Sequence, residues 1–360
     1  MTETSTSKPA STGPYASRQV RLRERPVGYP GPQTWDLTTT DLPEPGPGEL
    51  VVAVSHVSLD PAMRGWLNDV RSYVPPVGIG EVMRAGAAGT VVASQHPSYA
   101  VGDTVTGSFG VTEYALSDGE GLVLVDPDVA GTPTWLGALG MPGMTAYFGL
   151  LDVGRASAGD TVLVSGAAGA VGSMVGQIAK ALGCTVIGIA GGADKCDWLT
   201  SIGFDAVIDY KAVHDSKPVN VLKRLREVAP DGIDVFFDNV GGDTLDAGLA
   251  NLRRGARVVI CGAISGYNET ALPPGPSRYM SLLVFRASMT GFVVFDYEDR
   301  YPEAREKIGR WIADGTVVAR ETVLAGGVEA FPEALLGLYA GVNTGKLVLE
   351  VGAPTADVTG

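Results

Sequence analysis

Ser165-Gly166-Ala167-Ala168-Gly169-Ala170-Val171-Gly172 stands between two stretches of different periodicity. Before it, TVLVSG (161–166) reads as a short buried strand. After it, Val171, Met174, Val175, Ile178, Ala179 and Leu182 recur at helical spacing, which predicts a helix over 170–183. A glycine turn between strand and helix suits a dinucleotide pyrophosphate. Glycine admits positive φ, lets the backbone approach the anion and lets the helix pack on the strand. The helix N-terminus then offers free N–H groups and the positive end of its dipole. The spacing is G-x-x-G-x-x-G, not G-x-G-x-x-G. With 49 glycines in 360 residues such spacings also arise by chance, and the turn alone could equally be a tight turn without a ligand. Its flanks carry the reading.

Outward from the turn the alternation continues. TVIGIA (185–190), DAVIDY (205–210) and ARVVICGA (256–263) read as strands, GIDVFFDNVGG (232–242) as a strand and turn, and 193–203 and 217–230 as helices. Strands alternating with helices at this spacing predict a parallel, doubly wound Rossmann sheet. At the tip of its second strand an NAD-binding chain usually carries Asp or Glu for the ribose 2′-hydroxyl. Here the tip reads Ile189-Ala190-Gly191-Gly192-Ala193-Asp194-Lys195. Small residues leave room, and Lys195 could neutralise a 2′-phosphate, which favours NADP(H). Asp194 could instead hold the ribose or cap the helix, and Lys195 could be a solvated helix residue. Tyr210, at the end of the third strand, could lie beside the adenine ribose.

Residues 17 to about 140 differ in texture. Short β-branched runs such as ELVVAVSHVSL (49–59), GTVVAS (89–94) and GDTVTG (102–107), bounded by Gly and Pro, read as an all-β region. After the alternating zone come an amphipathic helix, 300–315, and a strand, KLVLEV (346–351), which resembles the first zone more than the middle. Residues 1–16 and 352–360 read as disordered tails. The net charge of −13 argues against nucleic acid or an anionic membrane as partner. No apolar run reaches the roughly 18 residues of a membrane span. Lacking an apolar leader and having only three cysteines, the chain is expected in the reducing cytoplasm.

The segments SGAAGAVGSMVGQIAKALG (165–183), FDNVGG (237–242), CGAISGYN (261–268) and SLDPAMRGWLND (58–69) together resemble the zinc-independent medium-chain dehydrogenases/reductases. The likeness covers about residues 17–351 and is greatest to the branch of prostaglandin and leukotriene reductases, plant double-bond reductases and bacterial curcumin reductase. It implies a discontinuous chaperonin-like (GroES-like) β catalytic domain, 17–140 and 310–351, interrupted by an NADP-binding Rossmann domain, 141–309. It implies NADPH as hydride donor, an α,β-unsaturated ketone or aldehyde as acceptor, and a homodimer joined through strands near 287–294. Cofactor contacts carry over to Gly169, Ala170, Val171, Gly172, Lys195, Tyr210 and Asn239. They extend to Cys261, Gly262, Ala263, Ile264 and Tyr267, to Phe292, Val293 and Val294, and to Asn343.

The active-site tyrosine of that branch falls on Tyr267. Conjugate reduction builds negative charge on the acceptor's carbonyl oxygen, and a phenol with an ordinary pKa near ~10 can donate to it. Tyr267 could also contact the ribose and only position the cofactor. Asp60 and Arg64 could line the cleft, but read more readily as a turn cap and its ion-pair partner. Tyr73 and Met144 could line the pocket or pack in the core. No cysteine falls in 1–183, and a zinc site built from His56 and His96 would lack a thiolate. No metal is therefore expected. A quinone reductase and a non-catalytic NADPH-binding protein are the competing readings.

Overall fold

The computed structural model describes residues 14–214 and 217–352, with the backbone alone for His214. Almost all of both expected tails lies outside these residues. A strand, Tyr15–Leu22, opens just inside the first of them.

The alternating zone folds as β1 (Thr161–Ser165), α1 (Ala170–Ala181), β2 (Thr185–Ala190), α2 (Ala193–Ser201), β3 (Ala206–Asp209), α3 (Val221–Val228), β4 (Ile233–Asp238), α4 (Gly242–Leu249), β5 (Leu252–Ile260) and β6 (Ser288–Gly291). The sheet order is β3-β2-β1-β4-β5-β6, parallel throughout. Such strands are buried on both faces, so their runs are continuously apolar. Val162, Val164 and Phe237 enter one core with Met174 and Ile178 of α1, while Leu163 and Phe236 enter the other with Leu225 of α3 and Leu249 of α4. Each such buried side chain contributes about 1.5–3 kcal/mol.

Element ends differ from expectation for local reasons. Helix α3 begins at Val221, not 217, because the Asn220 side chain accepts the Lys223 N–H at 2.9 Å and caps it. The helix Thr132–Leu136 lies where sequence texture suggests strands and turns, and the helix Met141–Phe148 follows in a stretch for which the sequence suggests no element. Each starts on a proline in its first turn, where a missing N–H costs nothing.

The second unit is a seven-stranded sheet. Its main path runs Glu321–Leu324, Lys346–Glu350, Leu50–Ser58, Ala87–Ser94, Thr104–Gly107 and Val123–Leu124, and Tyr114–Ser117 pairs with Leu50–Ser58. The expected late strand thus joins the early ones, antiparallel to Leu50–Ser58 with Val348 opposite Ser58.

Candidate active site

A cavity of about 680 Å³ opens between the carboxyl ends of the parallel strands and the β unit. In an open α/β sheet that is where ligands bind. Of the sixteen residues expected to contact a cofactor, fifteen line it. The exception is Ala263, which is exposed and whose N–H donates to Tyr267 Oη at 3.2 Å.

The phosphate turn sits at the centre. Gly166 adopts φ +56°, and the Gly169 N–H donates to its carbonyl at 3.0 Å. Gly169 caps α1 without a side-chain hydrogen bond, leaving the first turn open to the cavity. Gly172 is required by contact: a Cβ there would collide with the Gly166 carbonyl and stand 2.8 Å from Ala167 Cα.

Over β2 and β3 the cavity turns basic. Lys195 Nζ donates to the Gly341 carbonyl at 2.6 Å. Lys211, which sequence reasoning missed, lines the same end, its ammonium 5.9 Å from the centre of the Tyr210 ring. Burial, then the charge of Lys211, lowers the Lys195 pKa below the ordinary lysine value. Two cations held this close suit an anion. Asp194 is exposed and does not line the cavity. The carboxylate at the tip of β3, Asp209, is occupied by the N–H groups of Gly192 and Lys211, both at 2.9 Å.

Over β4, β5 and β6 the lining is largely apolar, with Phe292, Val293 and Val294 beside Asn239, Cys261 and Tyr267. Burial raises the Tyr267 pKa above the ordinary phenol value, so the hydroxyl keeps its proton. Because Oη accepts from Ala263 N–H, that proton is free to be donated. Burial pushes the Cys261 thiol up to about 12, helped by the nearby charge of Asp238, and leaves it no thiolate character at neutral pH. Asp238, at the end of β4 and wholly buried, was not singled out from the sequence. It accepts from Ser165 Oγ at 2.6 Å and from the N–H groups of Val240 and Gly241 at 3.2 and 3.0 Å.

The β unit supplies the facing wall. Asp60 pairs not with Arg64 but with Lys346, 2.7 Å away, and also accepts from Ser58 Oγ at 2.5 Å. Arg64 is buried and spent on the loop carbonyls of Gly28 and Pro26 and on Asn68. Gly345 N–H donates to Ala168 O at 2.8 Å, and Asn343 Nδ2 holds the Gly345 carbonyl at 2.7 Å. The ring of Tyr73, on this side, lies 6.3 Å from that of Phe295 on the other. Met144 is core. Among the described residues no group of three or more His, Cys, Asp or Glu could hold a metal ion, and no helix is long and apolar enough to cross a membrane.

A parallel sheet ordered 3-2-1-4-5-6, with a glycine phosphate turn facing a separate β unit across a cleft, defines a two-domain dinucleotide-binding oxidoreductase. Residues 18–125 match a family described as the N-terminal domain of oxidoreductase, and 170–310 one described as zinc-binding dehydrogenase. The NADPH-dependent curcumin reductase of Escherichia coli (strain K12) is 42% identical over 342 residues, 93% of this chain and 97% of that protein. The NADP(+)-dependent 2-alkenal reductase of Nicotiana tabacum is 39% identical over 93% of this chain and 98% of its own. The crystal structure of CurA in complex with NADPH from Vibrio vulnificus superposes with a TM-score of 0.86 at 45% identity, covering 94% of this chain and 100% of that one. The chain belongs to the medium-chain dehydrogenases/reductases, in the branch of the curcumin and alkenal reductases.

Proposed function

We propose that the protein reduces the carbon–carbon double bond of α,β-unsaturated ketones and aldehydes with NADPH. One observation carries the reading: a half-buried phenol with a proton to donate, Tyr267, stands in the same cavity as a phosphate turn and a lysine pair. The named substrates and cofactors of the relatives agree with it.

Sheet order sets the direction of the dinucleotide. Lys195, Lys211 and Tyr210, over β2 and β3, would hold the adenosine 2′-phosphate, and the turn from Gly166 to Gly172 the pyrophosphate. The tips of β4, β5 and β6 would then hold the nicotinamide half. What the bound nicotinamide supplies is a hydride for the acceptor's β-carbon. Tyr267 Oη donates its proton to the carbonyl oxygen where charge develops, the task of an oxyanion donor, and the enol so formed tautomerises to place that proton's equivalent on the α-carbon. Phe292, Val293 and Val294 exclude water and orient the acceptor, and Asn343 braces the turn from the opposite wall.

The test follows NADPH oxidation by its near-ultraviolet absorbance across small enones, enals and quinones. Turnover of enones is expected, and Tyr267→Phe lowers kcat more than about tenfold with little change in NADPH affinity. Turnover of quinones alone would assign a quinone reductase, and no turnover with tight NADPH binding a binding protein.

We infer the expected insertion of a nucleotide domain between two parts of the β unit, beginning at 141, with its expected end at 309 moved past residue 313. The helix Tyr301–Ala313 lies wholly on the nucleotide side, because Ala304 and Ile308 share a core with Phe148. A homodimer is supported by β6, an exposed edge strand, close in sequence to the exposed Leu283 and Val284. Sedimentation equilibrium is expected to give twice the 37.3 kDa chain mass, and Leu283→Glu to give one. Three free cysteines suit the reducing cytoplasm.

A further inference from the structure

The residue over which the nicotinamide end of the site is built is one the reaction itself does not use. Asp238 is a carboxylate with no solvent exposure and no cation among its hydrogen-bond partners. Burying such a group is costly unless donors surround it. The donors are Ser165 Oγ–H from the end of β1 and the N–H groups of Val240 and Gly241 from the turn after β4. The Asp238 backbone carbonyl in turn accepts from Cys261 and Gly262 at the end of β5, at 2.9 and 3.2 Å. One residue therefore ties three neighbouring strand ends together.

From there the contacts run outward to Tyr267. The carbonyls of Asn239 and Val240 accept the N–H groups of Ile264 and Ser265 at 3.2 and 3.1 Å, and Val240 O also accepts Ser265 Oγ–H at 2.6 Å. That pins the 262–267 loop to the turn Asp238 organises, and the loop ends on Tyr267.

We propose that Asp238 is a positioning residue: its carboxylate shapes the strand-tip platform that seats the nicotinamide half of the cofactor and aims Tyr267. This rests on the cofactor orientation given above. Burial raises the Asp238 pKa while its three hydrogen bonds pull the other way, and its charge adds to the burial that keeps Cys261 and Tyr267 protonated. An amide cannot replace it. A carboxylate accepts on both oxygens, whereas Asn would turn an NH2 against either the Gly241 N–H or the Val240 N–H and Ser165 hydroxyl.

The test uses the full-length protein and compares two ligands by calorimetry. NADPH has both halves, and 2′,5′-ADP has only the half that lies over β2 and β3. Asp238→Asn, checked as folded by thermal unfolding, is expected to leave the 2′,5′-ADP Kd within about twofold and to weaken NADPH more than about fivefold. It should lower kcat with an enone more than about tenfold, the scale of a misaligned reacting group. Ser165→Ala removes one donor to Asp238 and the acceptor for Asn239 N–H. It is expected to act in the same direction and more weakly, and it keeps the test decisive if Asp238→Asn does not fold. Equal weakening of both ligands, or no change in either ligand or kcat, overturns the proposal. A wild-type protein that does not bind NADPH overturns the cofactor reading first, a separate failure.

Discussion

Lys195 and Lys211 share the end of the cavity over β2 and β3. Lys195 reads as an anion ligand from its place after the second strand. Lys211 gives no such signal, because it follows a third strand whose tip belongs to no motif; only the fold brings it beside Tyr210. Lys195→Ala and Lys211→Ala are each expected to weaken NADPH about tenfold or more while leaving NADH nearly unchanged, measured as Kd for both. Tyr267 has a pH consequence. Its pKa is raised by burial, so the proton is present throughout the neutral range and is lost only as pH climbs past the ordinary phenol value of about 10. The rate for an enone is therefore expected to show no basic limb from this group below that point. Asp238 was invisible in sequence for the same reason as Lys211. An aspartate ending an apolar run looks like any strand end until its three donors are seen around it.

At the scale of elements, the phosphate turn shows what spacing can and cannot say. The third glycine is forced, because α1 crosses so close to the Gly166–Ala167 backbone that no Cβ fits. Gly172→Ala is expected to lower stability by about 1–3 kcal/mol in urea unfolding and to weaken NADPH more than about tenfold. Strand–helix alternation from 161 to 238 was legible because each piece has its own period and punctuation, whereas α4 was not, because GDTLDAGL is too short for a period and carries two Gly and two Asp. Thr132–Leu136 and Met141–Phe148 were not, because TPTWL and MPGMTAYF are too short for a period and contain Pro, and in the latter case Gly. The proline in each first turn was the available signal, and it marks a helix start as readily as a turn.

For the whole molecule, the ion pair between Asp60 and Lys346 joins residues nearly the full chain apart, which no local pattern could pair. Lys346 is 2% exposed, and burial lowers its pKa against the pull of Asp60. Lys346→Met strands a buried carboxylate and is expected to cost about 3–5 kcal/mol in urea unfolding, much of it regained in the Asp60→Asn, Lys346→Met double variant. The same segment has a second attachment, where Gly345 bridges to Gly169 and its N–H reaches the Ala168 carbonyl. Those residues are synthesised long after the turn they touch. A ribosome-bound chain that has emerged only as far as residue 340 would hold every strand of the nucleotide sheet yet lack the clip on its phosphate turn, so ligand capture becomes the closing event of biogenesis. Ribosome-tethered chains carrying a C-terminal spacer long enough to expose residues up to 340 or up to 352, probed with 2′,5′-ADP, are expected to differ in retention.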